Sequence, residues 1–139
     1  MNPTRNKQIY VNLPVKDLPR SIAFFKSLGY AFNADFSNDS GACMVISENH
    51  IYAMLLTQPF FQGFTKKPLA DAAKVTEVLV CLACESRAQV DSLVAKALAA
   101  GGQAPMPPQD SEFMYGHGFE DLDGHQWELM HMAAPPPAA

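Results

Sequence analysis

Phe119-Glu120-Asp121-Leu122-Asp123-Gly124-His125-Gln126-Trp127-Glu128-Leu129-Met130 is the stretch that decides the fold. It reads as a strand, a tight Asp-Gly turn and a second strand. The Asp-Gly pair supplies the positive backbone angles that a tight hairpin needs. Past the turn, side chains alternate between faces. Gln126, Glu128 and Met130 share one face; Trp127, Leu129 and His131 share the other. Trp127 and Leu129 suit a core-facing side, which sends the Glu128 carboxylate the opposite way.

Working outward, the same unit occurs twice. Gln8 to Val15 alternates Ile9, Val11, Leu13 and Val15 with Tyr10, Asn12 and Pro14, the period of a half-buried strand. Asp17 stands at an N-cap, Leu18, Ile22, Phe25 and Leu28 form a helical stripe, and Gly29 stops the helix. Strands follow at Ala31–Phe36, Ala42–Ser47 and Ile51–Thr57. The pattern then restarts with a β-rich run from Val75 to Ala83. A capping box at Ser86 and Gln89 opens a helix with Val90, Leu93, Val94, Ala97 and Leu98 on one face. Strands follow near Gln103–Met106, Met114–Glu120 and Gln126–His131. Matching landmarks lie about seventy residues apart, which suits a duplicated unit better than a solenoid period.

The expected fold is therefore α+β: one domain over 1–139, made of two βαβββ halves at 7–57 and 75–132. Residues 58–74 form the connector, unusually aromatic at Phe60, Phe61 and Phe64, and 133–139 a disordered tail. Each half can cover one sheet face with its own helix. The remaining faces are expected to make a concave mixed sheet whose inner side is the natural pocket.

Composition narrows the functional classes. With 139 residues and 48% apolar residues, the chain can bury a proper core. The net charge of −4 comes without any Lys/Arg stripe, so no nucleic acid is expected as partner. The polar start lacks the apolar core of a signal peptide, and no apolar run reaches the ~20 residues of a bilayer span. The expectation is a cytoplasmic protein with no membrane partner. The three cysteines, Cys43, Cys81 and Cys84, read as buried structural thiols. No nucleophile elbow, phosphate loop or dinucleotide fingerprint occurs.

The arrangement resembles the vicinal oxygen chelate superfamily: glyoxalases, extradiol dioxygenases, fosfomycin-resistance enzymes and bleomycin-resistance proteins. The resemblance is carried by Val11-Asn12-Leu13-Pro14-Val15-Lys16-Asp17, Ser21 to Tyr30, Met54-Leu55-Leu56-Thr57, Met114-Tyr115-Gly116-His117 and Glu120 to Glu128. It is similar in particular to the subgroup described as predicted lactoylglutathione lyases. In metal-dependent members of that family, four strands each offer one inward ligand. Carried over, these positions fall on Tyr10, on Leu55, on Leu79 or Glu77, and on Glu128. Leucine offers no donor and neutral tyrosine is a poor ligand. The resemblance thus implies no standard metal cofactor, with Glu128 and Glu77 the weak candidates for a divalent ion.

Two readings follow. In the first, the chain binds a small, partly apolar molecule in its concave sheet without the metal quartet, lined by Tyr10, Asn12, Leu55, Leu79, Tyr115 and His117. In the second it is a lyase, isomerase or dioxygenase-like enzyme using Glu128 as catalytic acid/base, with or without a divalent metal. Either way a homodimer is expected.

Overall fold

The computed structural model describes residues 2–133. The chain divides into two compact units, one up to Leu69 and one from Ala70. Each holds a four-stranded mixed sheet with helices, so the α+β class and the doubled βαβββ order stand.

The first unit contains β1 (Ile9–Val15), α1 (Leu18–Ser27), β2 (Ala31–Asn38), β3 (Gly41–Ser47), β4 (Ile51–Thr57) and a short helix α2 (Gln58–Gln62). Its strand order is β1-β4-β3-β2, with β1 parallel to β4 and the other pairs antiparallel. Asp17 caps α1 by accepting from Arg20 N at 3.2 Å. Gly29, with φ of 104°, lets the chain leave the helix. The helix packs its buried Leu18, Phe24 and Phe25 toward β3 and β4. Leu13, Val15, Met44, Ala53 and Leu55 are buried beneath, each large side chain contributing about 1.5–3 kcal/mol. α2 falls in the stretch expected as connector; Pro59 sits in its first turn, where a missing N–H costs nothing.

The second unit contains β5 (Leu79–Ala83), α3 (Arg87–Ala99), β6 (Gln109–Asp110), β7 (Met114–Glu120) and β8 (Gln126–Met132), in the order β5-β8-β7-β6. Ser86 accepts from Gln89 N at 3.0 Å, and Gln89 Oε1 accepts from Glu85 N at 2.7 Å. The box therefore closes one residue further back than the usual pattern. Trp127 and Leu129 are 1% exposed, and Val90, Leu93, Val94 and Ala97 of α3 are buried with them.

Three sequence expectations need correction. The strand expected from Val75 begins only at Leu79, and 76–78 pair with nothing regular. The strand expected at Gln103–Met106 reduces to a single bridge between Gln103 and Glu120; the paired strand is Gln109–Asp110. Pro105, Pro107 and Pro108 explain this, because proline brings no N–H to a ladder. The turn between β7 and β8 spans 121–125, and only Gly124 in it has positive φ, at 90°. Of the expected tail, Ala133 still donates its N–H to Phe113 O at 3.0 Å; the rest lies outside the described residues.

Candidate functional site

Register settles which side chains share a face. In the second unit, Cys81 on β5 pairs with Glu128 on β8, and Glu128 pairs with Gly118 on β7. Leu79, Cys81, Gln126, Glu128, Met130, Gly116, Gly118 and Glu120 therefore stand on one face, opposite Trp127 and Leu129. The direction assigned to Glu128 from sequence holds. α3 covers the other face, where Tyr115 donates its hydroxyl to Asp91 and Arg87 stacks 4.2 Å over the Tyr115 ring.

The Glu128 face carries a shallow pocket. Pro105 and Met106 form its wall, the Gly118–Glu120 stretch of β7 its floor, and Gln126 and Glu128 its far side. Glu120 and Glu128 are diagonal neighbours across the β7–β8 ladder, roughly 7–8 Å apart by sheet geometry. No Lys, Arg or His of the second sheet's strands stands on this face.

The Cys81 thiol feels this environment. Desolvation by the atoms packed behind it pushes its pKa up, and the Glu128 charge pushes the same way. Cys81 is surface-exposed, unlike the buried Cys43 and Cys84, which corrects the reading of three buried thiols. It lies on β5, an edge strand of its sheet.

The sequence-derived lining set is only partly brought together. Tyr115 and His117 stand on the α3 side of β7, opposite Glu128, because they alternate with Gly116 and Gly118. His117 Nε2 lies 3.0 Å from the Met106 carbonyl and, as the donor, ties the wall of the pocket to β7. Leu79 shares the Glu128 face and is 55% exposed. Glu77 precedes β5 and is exposed.

In the first unit, Tyr10 and Asn12 share a face with Tyr52 and Met54, their register partners. Tyr10 stacks on Tyr52 with ring centroids 4.8 Å apart, and Asn12 Nδ2 donates to Tyr10 O at 3.4 Å. Leu55 is a correction: it pairs with Leu13 on the opposite face and is fully buried. The residue that matches Glu128 is Met54. Tyr52 pairs with Tyr10 as Gln126 pairs with Leu79, and Met54 and Glu128 each come two residues later.

The contributors missed from sequence are Pro105, Gly118 and Glu120, while Gln126 already stands on the Glu128 face by sequence alternation. Alternation around Trp127 carries the signal for the strand residues. Gly118, Glu120 and Gln126 fall on the Glu128 face as soon as β7 and β8 are paired about the turn.

Solved structures share this architecture. A glyoxalase-related enzyme from Fulvimarina pelagi is 20% identical, covering 96% of this chain and 94% of that one, with a TM-score of 0.77. A genomically encoded fosfomycin resistance protein, FosX, from Listeria monocytogenes is 17% identical over 92% and 94% of the two chains, with a TM-score of 0.67. No curated protein matches the sequence. The family model for the bleomycin resistance protein-like N-terminal region matches residues 7–47, which span β1, α1, β2 and β3. A hypothetical protein from S. aureus is 30% identical, covering 92% of this chain and 95% of its own, with a TM-score of 0.78. The chain shares the fold of these structures, and its family match is confined to residues 7–47. The resemblance to the vicinal oxygen chelate superfamily raises the question of a metal. The positions that the resemblance gives as ligands fall on Tyr10, on Leu55 or its inward neighbour Met54, on Leu79 or Glu77, and on Glu128, so at most two of them are carboxylates. A hard divalent ion asks for several oxygen or imidazole donors, so this set does not fit it. Among the described residues, no group of three or more His, Cys, Asp or Glu side chains comes together to hold a metal. No described helix is long and apolar enough to cross a membrane.

Proposed function

We propose that this protein is of the vicinal oxygen chelate type, that it binds a small organic molecule on the Glu128 face without the metal quartet, and that the ligand is a cation with an apolar body. The observation that carries this reading is the pairing of two carboxylates, Glu120 and Glu128, with an apolar wall of Pro105 and Met106 and no basic side chain on the strands of that face. The two like charges stand diagonally on one face, and an ammonium or amidinium group bound between them is attracted by both. Met106 adapts to ligand shape through its flexible thioether. Gln126 adds a donor and an acceptor.

The test is a thermal-shift screen of arylalkylamines against the matching alcohols. Amines are expected to raise the melting temperature and alcohols to leave it unchanged. Glu128→Gln should weaken the best amine about tenfold or more, the usual worth of a charge-assisted hydrogen bond. Equal response to amines and alcohols would defeat the cation reading. Catalysis at Glu128, in the manner of a lactoylglutathione lyase or another lyase, isomerase or dioxygenase, is the second reading; the half-buried carboxylate beside an apolar wall supports it. Turnover that Glu128→Gln abolishes while binding persists would favour it.

We also propose a homodimer. Ile9 and Tyr10 on β1, and Val75, Val78 and Leu79 at β5, are each at least half exposed. Apolar residues at sheet edges of this kind invite a second chain. Sedimentation at micromolar concentration should show a dimer; a monomer alone would refute it.

A further inference from the structure

Gly118 has no backbone reason to be glycine. Its φ is not positive, and it sits inside a regular antiparallel ladder opposite Glu128. Strand interiors of this kind are stabilised by a side chain, not by its absence. A Cβ built on Gly118 would nevertheless meet Glu128 Oε2 at 2.7 Å, and its Cδ and Oε1 at 2.9 Å. Its three nearest neighbours all belong to that one carboxylate. Gly116, two residues back on the same face, differs: a Cβ there makes ordinary contacts, 3.4 Å to Leu129 O and 4.0 Å to Met130 Cβ.

We propose that Gly118 is a positioning residue, whose missing side chain leaves a notch in β7 that holds the Glu128 carboxylate against that strand and away from Cys81 on β5. Glu128 stands between the two strands, with Gly118 as register partner on one side and Cys81 on the other. Filling the notch moves the charge toward Cys81. The titratable groups on this face are Glu120 on β7, Glu128 on β8 and Cys81 on β5, so Cys81 reports where the Glu128 charge lies. Cys84, buried at the end of β5, is the other thiol that feels Cys81. The functional weight of the notch rests on the proposed ligand reading, while its geometry does not.

The experiment is a double-mutant cycle with a titration readout. Melting temperatures are measured for wild type, Gly118→Ala, Glu128→Ala and the double variant, with Gly116→Ala as control. Cys81 alkylation by iodoacetamide is followed against pH, resolved by peptide mass spectrometry. Gly118→Ala should melt about 4 °C or more below wild type. In the Glu128→Ala background the same change should cost nothing, because only the carboxylate opposes the methyl group. Glu128→Gln should speed Cys81 alkylation at neutral pH about twofold or more, because removing the neighbouring charge raises the thiolate fraction. Gly118→Ala should slow it, and Gly116→Ala should leave it alone. If Gly118→Ala fails to fold, recovery in the double variant supports the notch and failure of both overturns it. An equal penalty in both backgrounds, or Cys81 alkylation unchanged or faster in Gly118→Ala, also overturns it. If the cycle holds but amines bind Glu128→Gln as well as wild type, the notch stands and the ligand reading falls. The reverse pattern leaves the ligand reading standing without the notch.

Discussion

Asp121→Ala is expected to lower the melting temperature by about 10 °C or more. Asp121 is 7% exposed and organises the β7–β8 turn from inside. Its Oδ1 accepts from the backbone N–H groups of Asp123 and His125, each at 3.0 Å, and its Oδ2 accepts from Trp127 Nε1 at 3.0 Å. Alanine removes both acceptor oxygens and so all three hydrogen bonds at once. The indole N–H is then stranded beside a ring that is 1% exposed, at a cost of about 1–3 kcal/mol before the turn is counted. Together the losses reach roughly 3–5 kcal/mol, a large share of an ordinary domain's stability. Asp121→Asn should lose less than alanine but not recover wild type, because an amide offers one acceptor oxygen where the carboxylate uses two. Chemical denaturation monitored by Trp127 fluorescence measures both. Wild-type stability in Asp121→Ala would show that the hydrogen bonds contribute nothing net.

The same residue gives a pH dependence of definite sign. Burial pushes the Asp121 carboxyl above its ordinary value, against the His125 charge and the Trp127 and Asp123 N–H groups that pull it down. A raised folded pKa means that folding favours the protonated form. Below the unfolded pKa, Asp121 adds no slope. Between the unfolded and folded values the unfolded chain has already released its proton, so stability falls as pH rises; above the folded value the loss is complete. Wild type measured against Asp121→Asn from acid to neutral pH isolates this slope. A difference that grows in the opposite direction would mean that the N–H donors outweigh burial.

Gly124→Ala is the second large effect, an expected loss of about 3 kcal/mol or more. Two costs coincide there. The residue has φ of 90°, and a Cβ would lie 2.7 Å from Ala73 Cα and N and 2.8 Å from Ala72 C. Those are backbone atoms, which cannot swing aside as a side-chain tip can. Gly29 supplies the comparison: its φ is 104°, yet a Cβ there meets nothing within 4 Å. Gly29→Ala should therefore pay only the left-handed strain of roughly 1–2 kcal/mol. Equal losses at the two positions would show that the contact with residues 72 and 73 carries no weight.

Much of this molecule was legible in its sequence, and the reasons are local. Period-two alternation over Ile9–Val15 and helical spacing over α1 and α3 placed those elements nearly to the residue. Trp127 fixed the direction of Glu128, since one bulky apolar side chain in a strand assigns every neighbour a face. What failed was register between strands. The resemblance gives Leu55 an inward position with Tyr10, but the parallel pairing of β1 with β4 puts Met54, opposite Asn12, on the Tyr10 face and turns Leu55 into the core. His117, expected among the lining residues, alternates with Gly116 and Gly118, so it falls on the α3 side while the glycines occupy the Glu128 face. Pro105 and Met106 were assigned to a strand; prolines stripped that segment of ladder donors and left it to wrap the edge of β7 as a wall. The Gly118 notch depends on where another strand's side chain rests, which no pattern within one strand encodes.

The backbone at residues 72 and 73 that closes against Gly124 has a consequence for cutting the chain. Repeat counting would start the second half at Val75, where the β-rich run begins. A fragment excised there would keep all four strands and α3, yet lose the floor on which the β7–β8 turn rests. Asp71 also closes its own small turn, accepting from the N–H groups of Ala73, Lys74 and Val75. The second compact unit therefore begins at Ala70, several residues upstream of its first strand. What was duplicated as secondary structure and what holds together as a physical body have different left-hand edges.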